Sequence, residues 1–286
     1  MFNKVVIIGS NGLVGTELMK AFPSAIGLTH SDIEIENFEN VKISINNLKP
    51  DLIINTAGLN NTDECEKDQV RAFLLNALSL RNIAMISEHL GIPLVQFSTD
   101  YVFGGEKDRK IPYNEDDLPR PVNVCGISKL SGEYFVRSYC RRHYIIRISA
   151  VYGPTGSRAK GGRDFVKTMI AISKEKKEAK VVNDQFVSPT CAIDLANKVR
   201  ELVETKQYGI YHIAGSGVCS WFEFADAIFK IRKIDIINKP IITDKDYNVQ
   251  RAYYTGLNNR KIKEIGLKNI DNWKICLERY LKIYDK

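Results

Sequence analysis

The sequence predicts an α/β protein: a doubly wound parallel sheet followed by a smaller α/β lobe. Three observations carry this. Short, continuously apolar runs such as Val5 to Ile8 read as strands covered on both faces. They alternate with longer amphipathic stretches as far as about Ser149. The first of them runs straight into a glycine-spaced turn and a helix start, the Rossmann-like βα junction.

That turn is Gly9-Ser-Asn-Gly12-Leu-Val-Gly15. Its G-x-x-G-x-x-G spacing lets backbone approach a pyrophosphate and aims helix N-terminal amides at it. Gly9, Asn11, Gly12, Leu13 and Gly15 are therefore the expected dinucleotide contacts. The second strand is predicted over Ala25 to Thr29. Its end, Thr29-His30-Ser31, lacks the acid that would take both adenosine ribose hydroxyls. With no acid to repel a 2′-phosphate, NADPH and NADH both stay open, and His30 is a candidate cofactor contact. A helix follows over Asn37 to Leu48 and a third strand over Asp51 to Asn55. Asn55-Thr-Ala57-Gly58 then forms a loop beneath the cofactor. A long helix, about Gln69 to Leu90, stops at Gly91 before Pro93. The fourth strand, Leu94 to Phe97, leads into Ser98-Thr99-Asp100-Tyr101-Val-Phe103. Ligands of doubly wound sheets lie just outside such strand ends, where a hydroxyl can stabilise charge developing on a carbonyl oxygen.

Gly104 to Pro119 is polar and long for a connection, so it reads as a loop over the site. A helix over Val124 to Arg142 follows, with Cys125 and Lys129 one turn apart on one face. The fifth strand is Tyr144 to Ser149. Beyond Gly153 the βα alternation gives way to mixed short elements. Among them are a helix near Asp164 to Met169, a strand from Gly209 followed by a helix capped by Ser220, and two helices between Leu257 and Tyr284. Trp221 reads as core. Residues 1–152 are thus the expected dinucleotide-binding domain and 153–286 the substrate-binding lobe, with some segments free to return to the sheet.

The 286 residues are 44% hydrophobic and 26% charged, ordinary for a globular protein, and no apolar run approaches membrane-spanning length. The strand-like start within five residues leaves no room for a signal peptide, so a cytoplasmic enzyme is expected. Six cysteines without paired spacing argue against zinc and against a disulfide framework. The formal charge of +7 comes from lysines interspersed with acids, as in Lys174 to Lys180. That pattern reads as a solvated surface that mildly favours an anionic nucleotide-sugar, with no nucleic-acid patch and no membrane face.

Several motifs in order resemble the dTDP-4-dehydrorhamnose reductases of the extended short-chain dehydrogenase superfamily. They are the glycine turn, Ser98 to Phe103, Pro121-Val-Asn-Val-Cys-Gly-Ile-Ser-Lys-Leu-Ser-Gly-Glu133, Val181 to Thr190 and Gly209 to Gly215. The resemblance implies NADPH- or NADH-dependent reduction of a nucleotide-linked 4-keto-6-deoxy sugar, dTDP-linked by family, in polysaccharide biosynthesis. It implies that Thr99 donates to the keto oxygen, that Ser98, Ala57, Gly58 and Lys129 meet the cofactor, and that Asp100, Tyr101, Ala150 and Arg251 line the sugar pocket. A homodimer is expected, and no metal site.

The chain departs from that family where Tyr-x-x-x-Lys should begin, because Cys125 stands in the tyrosine's place. A tryptophan of the family is Ala150 here, and a glycine is Val187. A thiol is more acidic than a phenol, so the obstacle at Cys125 is reach. A bridging water, an inactivating substitution, or a non-catalytic nucleotide-binding or regulatory subunit on the same fold would each account for it. A nucleophilic Cys125, favoured by Lys129, lacks a general base.

Overall fold

In the computed structural model, residues 2–156, 161–243 and 249–284 are described. Tyr247 and Asn248, which precede Arg251 in the sequence, lie outside them. The first half runs β1 (Val5–Ile8), α1 (Leu13–Ala21), β2 (Ile26–Leu28), α2 (Phe38–Leu48), β3 (Leu52–Asn55), α3 (Thr62–Lys67), α4 (Gln69–Phe73), a π turn (Leu74–Leu78) and α5 (Ser79–Leu90). It continues through β4 (Leu94–Thr99), a 3₁₀ turn (Asp100–Val102), α6 (Val124–Tyr139) and β5 (His143–Ile148). The second half comprises β6 (Val151–Tyr152), α7 (Phe165–Glu175), β7 (Glu178–Val182), β8 (Phe186–Val187), β9 (Thr190–Cys191), α8 (Ala192–Glu204), β10 (Gly209–His212), β11 (Cys219–Ser220), α9 (Trp221–Arg232), β12 (Ile237–Ile241), α10 (Arg260–Glu264) and α11 (Trp273–Tyr284).

The main sheet is six-stranded, in the order β10-β5-β4-β3-β1-β2, and every pairing in it is parallel. Alternation along each strand feeds two cores. Val5 and Ile7, Leu52 and Ile54, and Tyr144 and Ile146 face Leu18 of α1 and Leu195, Val199 and Leu202 of α8. Val6 and Ile8, Ile53 and Ile145 face Val41 and Ile45 of α2, Leu80 and Ile83 of α5 and Val136 of α6. Burial on both faces is why the strand segments are uninterruptedly apolar. Pairing β1 with both β2 and β3 reverses the direction of winding there, and the crevice at such a reversal is where this architecture receives ligands.

The long helix expected over Gln69 to Leu90 is present but passes through the π turn, and it ends with Gly91 at φ +65°. The segment from Gly104 to Pro119 is no cover for the cleft. Tyr113 is buried with its ring stacked 4.1 Å from Phe103, and Glu115 accepts from the amides of His212 (3.2 Å) and Lys261 (3.1 Å). Those contacts fasten the segment to β10 and the C-terminal residues. Small two-stranded sheets, β7 with β12, β8 with β11 and β6 with β9, hold the remaining strands of the second half.

Candidate functional site

One cleft of about 790 Å³ opens along the carboxyl ends of β1, β3 and β4. Gly9 leaves β1 at φ +80°, and a Cβ there would stand 2.6 Å from Thr56 Oγ1 and 3.0 Å from Ala57 N. Only glycine fits. Gly12 caps α1 without any side-chain hydrogen bond, so first-turn amides are left facing the cleft. Asn11, Gly12 and Leu13 line it. Gly15 does not, contrary to expectation: a Cβ there would lie 2.2 Å from Gly9 O, so this glycine serves turn-to-helix packing.

At the β2 end of the cleft, Thr29 and His30 line the wall together with Glu36. Asp32 folds back to accept from Thr29 N (2.8 Å) and Thr29 Oγ1 (2.6 Å). These bonds hold its carboxyl below the usual range and keep an anion next to the strand end.

Thr99 ends β4. Its Oγ1 accepts from Tyr101 N (3.1 Å) and donates to Asp100 Oδ1 (3.1 Å), so one hydroxyl both caps the 3₁₀ turn and faces the cleft. Asp100 is buried and also accepts at Oδ2 from Ser149 (2.7 Å) and Thr255 (2.7 Å); burial still pushes its pKa up. Ser98 lies on the wall, but its hydroxyl is committed to Glu133 Oε1 at 2.5 Å. Glu133 in turn takes Arg147 at both oxygens, 2.9 and 2.7 Å, inside the protein.

Asn123 caps α6 by accepting from Gly126 N (2.9 Å), which fixes the turn carrying Cys125. Cys125 borders the cleft yet is 4% exposed, packed with Cys65 and Ala72 and flanked by Leu59, Tyr101 and Val124. Cys65, also bonded to Leu59 O (3.6 Å), is held protonated by its hydrogen bond with Cys125 and by burial. Cys125 is drawn down by that bond, with a smaller pull from Lys129. Lys129 is 6% exposed, and burial lowers its pKa. Its ammonium reaches the Gly58 loop, where a Cβ on Gly58 would stand 2.6 Å from Nζ and 2.7 Å from Asn76 Oδ1. Asn76, turned inward by the π turn, accepts from Leu59 N and donates to Leu59 O (2.9 Å each) and to Ser128 Oγ (3.1 Å). Such π turns recur at functional sites.

Ala150 and Arg251 also line the cleft, Ala150 at φ +44° and Arg251 paired with Asp63 (3.1 Å). Trp221, read as core, does pack against the first core and also borders the cleft, with its ring 4.5 Å from Phe165. Asp164, beside Phe165, accepts from Gly153 N and Lys167 N (3.0 Å each). Arg71, Asn76, Asp164 and Phe165 were missed as site residues. Only Asn76 carried a signal, its place in a resembling Ala-x-x-x-Asn segment; the others depend on how distant elements meet.

The cradle at Gly9, the uncapped α1 and the space over Gly58 fit a dinucleotide. Known proteins bear on the rest. The chain is 36% identical over 284 residues to the spore coat polysaccharide biosynthesis protein SpsK of Bacillus subtilis, covering 98% of this chain and 97% of that one. It is 31% identical over 296 residues to the dTDP-4-dehydrorhamnose reductase of Escherichia coli, covering 97% and 96%. Among solved structures, a dTDP-4-dehydrorhamnose reductase of Clostridium acetobutylicum superposes with TM-score 0.93 at 33% identity, over 99% of this chain and 100% of that one. That of Bacillus anthracis, in complex with NADP, superposes with TM-score 0.92 at 34% identity over 99% of both. The family model described as the RmlD substrate binding domain matches residues 3–286, and the chain accordingly belongs to that family.

Proposed function

We propose that this protein reduces a dTDP-linked 4-keto-6-deoxy sugar with NADPH, NADH being the alternative donor, in the making of a deoxysugar for polysaccharide. One observation carries the reading most directly. Thr99, Lys129 and the Gly58 loop meet in a single cleft that begins at an uncapped helix N-terminus. The relatives named dTDP-4-dehydrorhamnose reductase and the NADP complex of one of them support it.

Bound reduced nicotinamide would supply hydride to the keto carbon. Gly9, Asn11, Gly12 and Leu13 would hold the pyrophosphate through backbone amides, and Ser98, Ala57 and Gly58 would border the nicotinamide. Lys129, whose ammonium already overhangs Gly58, would hold the ribose. Thr99 Oγ1 would donate to the carbonyl as negative charge grows on oxygen. Asp100 would keep that hydroxyl oriented, since they are already bonded. Tyr101, Ala150 and Arg251 would contact the sugar nucleotide. On this reading residues 1–152 chiefly serve the cofactor and 153–286 the substrate. The six free, buried cysteines suit a reducing cytoplasm, and a homodimer remains our expectation.

The test is nucleotide oxidation with enzymatically made dTDP-4-keto-6-deoxy-L-hexose, with the product sugar identified by chromatography. Turnover giving the dTDP-6-deoxyhexose is expected. Calorimetry that finds tight NADPH binding but no turnover of any keto sugar would favour a nucleotide-binding regulatory subunit instead.

A further inference from the structure

If the protein is a reductase, the carbonyl oxygen needs a proton, and position 125 offers a short thiol already in contact with Cys65 and Ala72. Two other acids on the cleft wall are engaged. Asp100 is the acceptor for three hydroxyls, from Thr99, Ser149 and Thr255. Asp164 uses one oxygen on Gly153 N and the other on Lys167 N. Tyr101 is differently placed. A Cβ on Gly126 would fall 2.1 Å from Tyr101 O, so the 3₁₀ turn is seated on the first turn of α6, next to residue 125. The Tyr101 side chain packs against the Cys125 cluster and lines the same cleft as Thr99 and Lys129. Arg251, also on that wall, draws the Tyr101 phenol's pKa down against the larger upward push of burial.

We propose that Tyr101 is the general acid of this chain, with Arg251 taking the part that a lysine takes beside a Tyr-x-x-x-Lys phenol. This rests on the reductase reading above. The chemistry balances. As hydride reaches the keto carbon, the carbonyl π pair moves to oxygen and that oxygen takes the phenolic proton of Tyr101. A new C–H and a new O–H bond form, the sugar is reduced and the nicotinamide oxidised. The tyrosinate left behind is stabilised by the Arg251 guanidinium until water re-protonates it. Burial pushes the Tyr101 phenol above its ordinary value, so it stays protonated, and able to donate, throughout the neutral range.

The experiment compares wild type, Tyr101→Phe, Cys125→Tyr and the double variant. Tyr101→Phe should lose about 10²–10⁴-fold in kcat, the usual worth of a general acid. Its affinities for NADP and for the dTDP-sugar product, measured by calorimetry, should stay within about three-fold. In the Tyr101→Phe background, Cys125→Tyr should restore at least ten-fold of the lost rate. The rescued enzyme should also lose activity at lower pH on the alkaline side than wild type, because its phenol would lie one helical turn from Lys129. Tyr101→Phe with unchanged kcat overturns the proposal and leaves the reductase reading intact. So does a wild type inert on the keto sugar that Cys125→Tyr makes active. Inertness of both overturns both.

Discussion

Lys129 is buried, and among the described residues it has no hydrogen-bond partner, so its charge weighs against folding. Burial lowers its pKa in the folded protein, which then binds fewer protons than the unfolded chain between that lowered value and the ordinary ~10.4. The cost is therefore complete below the folded pKa and disappears as pH rises through this window. Lys129→Met should gain on the order of 1 kcal/mol at neutral pH, or ~2–4 °C in a chain of this size, while losing turnover. Urea midpoints at several pH values check this; a gain that does not shrink towards alkaline pH would locate its origin elsewhere. Ala150 shows the same tension in backbone form. A non-glycine residue at φ +44° is held against its preference where the cleft needs that geometry.

At the scale of elements, the end of β4 is tied to α6 and β5 through Ser98, Glu133 and Arg147, with both charged side chains 2–3% exposed. Removing one partner strands the other charge. Glu133→Ala should cost about 3–5 kcal/mol in urea unfolding. A loss below ~1 kcal/mol would mean that water reaches Arg147 readily. Much of this layer was legible from sequence, because strands buried on both faces, the Ser220 cap and the Gly91 stop are written in neighbouring residues. The glycine turn and the Ser98 to Phe103 strand end were legible for the same reason. What was not legible depended on distant packing. Apolar periodicity cannot distinguish a π turn from the α turns flanking it, so the inward swing of Asn76 was hidden. Trp221 read as core because a large aromatic on an amphipathic helix usually is, and only its meeting with Phe165 puts it on the cleft. The segment from Gly104 to Pro119 read as a cover because its polar residues did not reveal that Tyr113 and Glu115 find buried partners.

On the scale of the whole molecule, the cleft draws one wall from each half of the chain, so the two halves should be separable in binding experiments. Trp221→Ala should raise KM for the sugar nucleotide by roughly ten-fold or more, as loss of an aromatic contact commonly does, and leave NADPH affinity within about two-fold. Calorimetry with each ligand decides; equal losses for both would mean that the Phe165–Trp221 pair supports the folding of the second half instead. The main sheet, however, does not respect the boundary between halves. Its edge strand β10 comes from beyond residue 153 and pairs Gly209–His212 with Tyr144 to Arg147 of β5. During synthesis, then, the first half emerges with the backbone of β5 unpaired on one side and Tyr144 and Ile146 uncovered by α8. At ~5–20 residues per second, several seconds pass before the closing strand leaves the ribosome. A nascent chain with an open, apolar strand edge is a template for wrong pairing, so a gene cut after residue 152 would yield an aggregating fragment in place of a small nucleotide-binding domain.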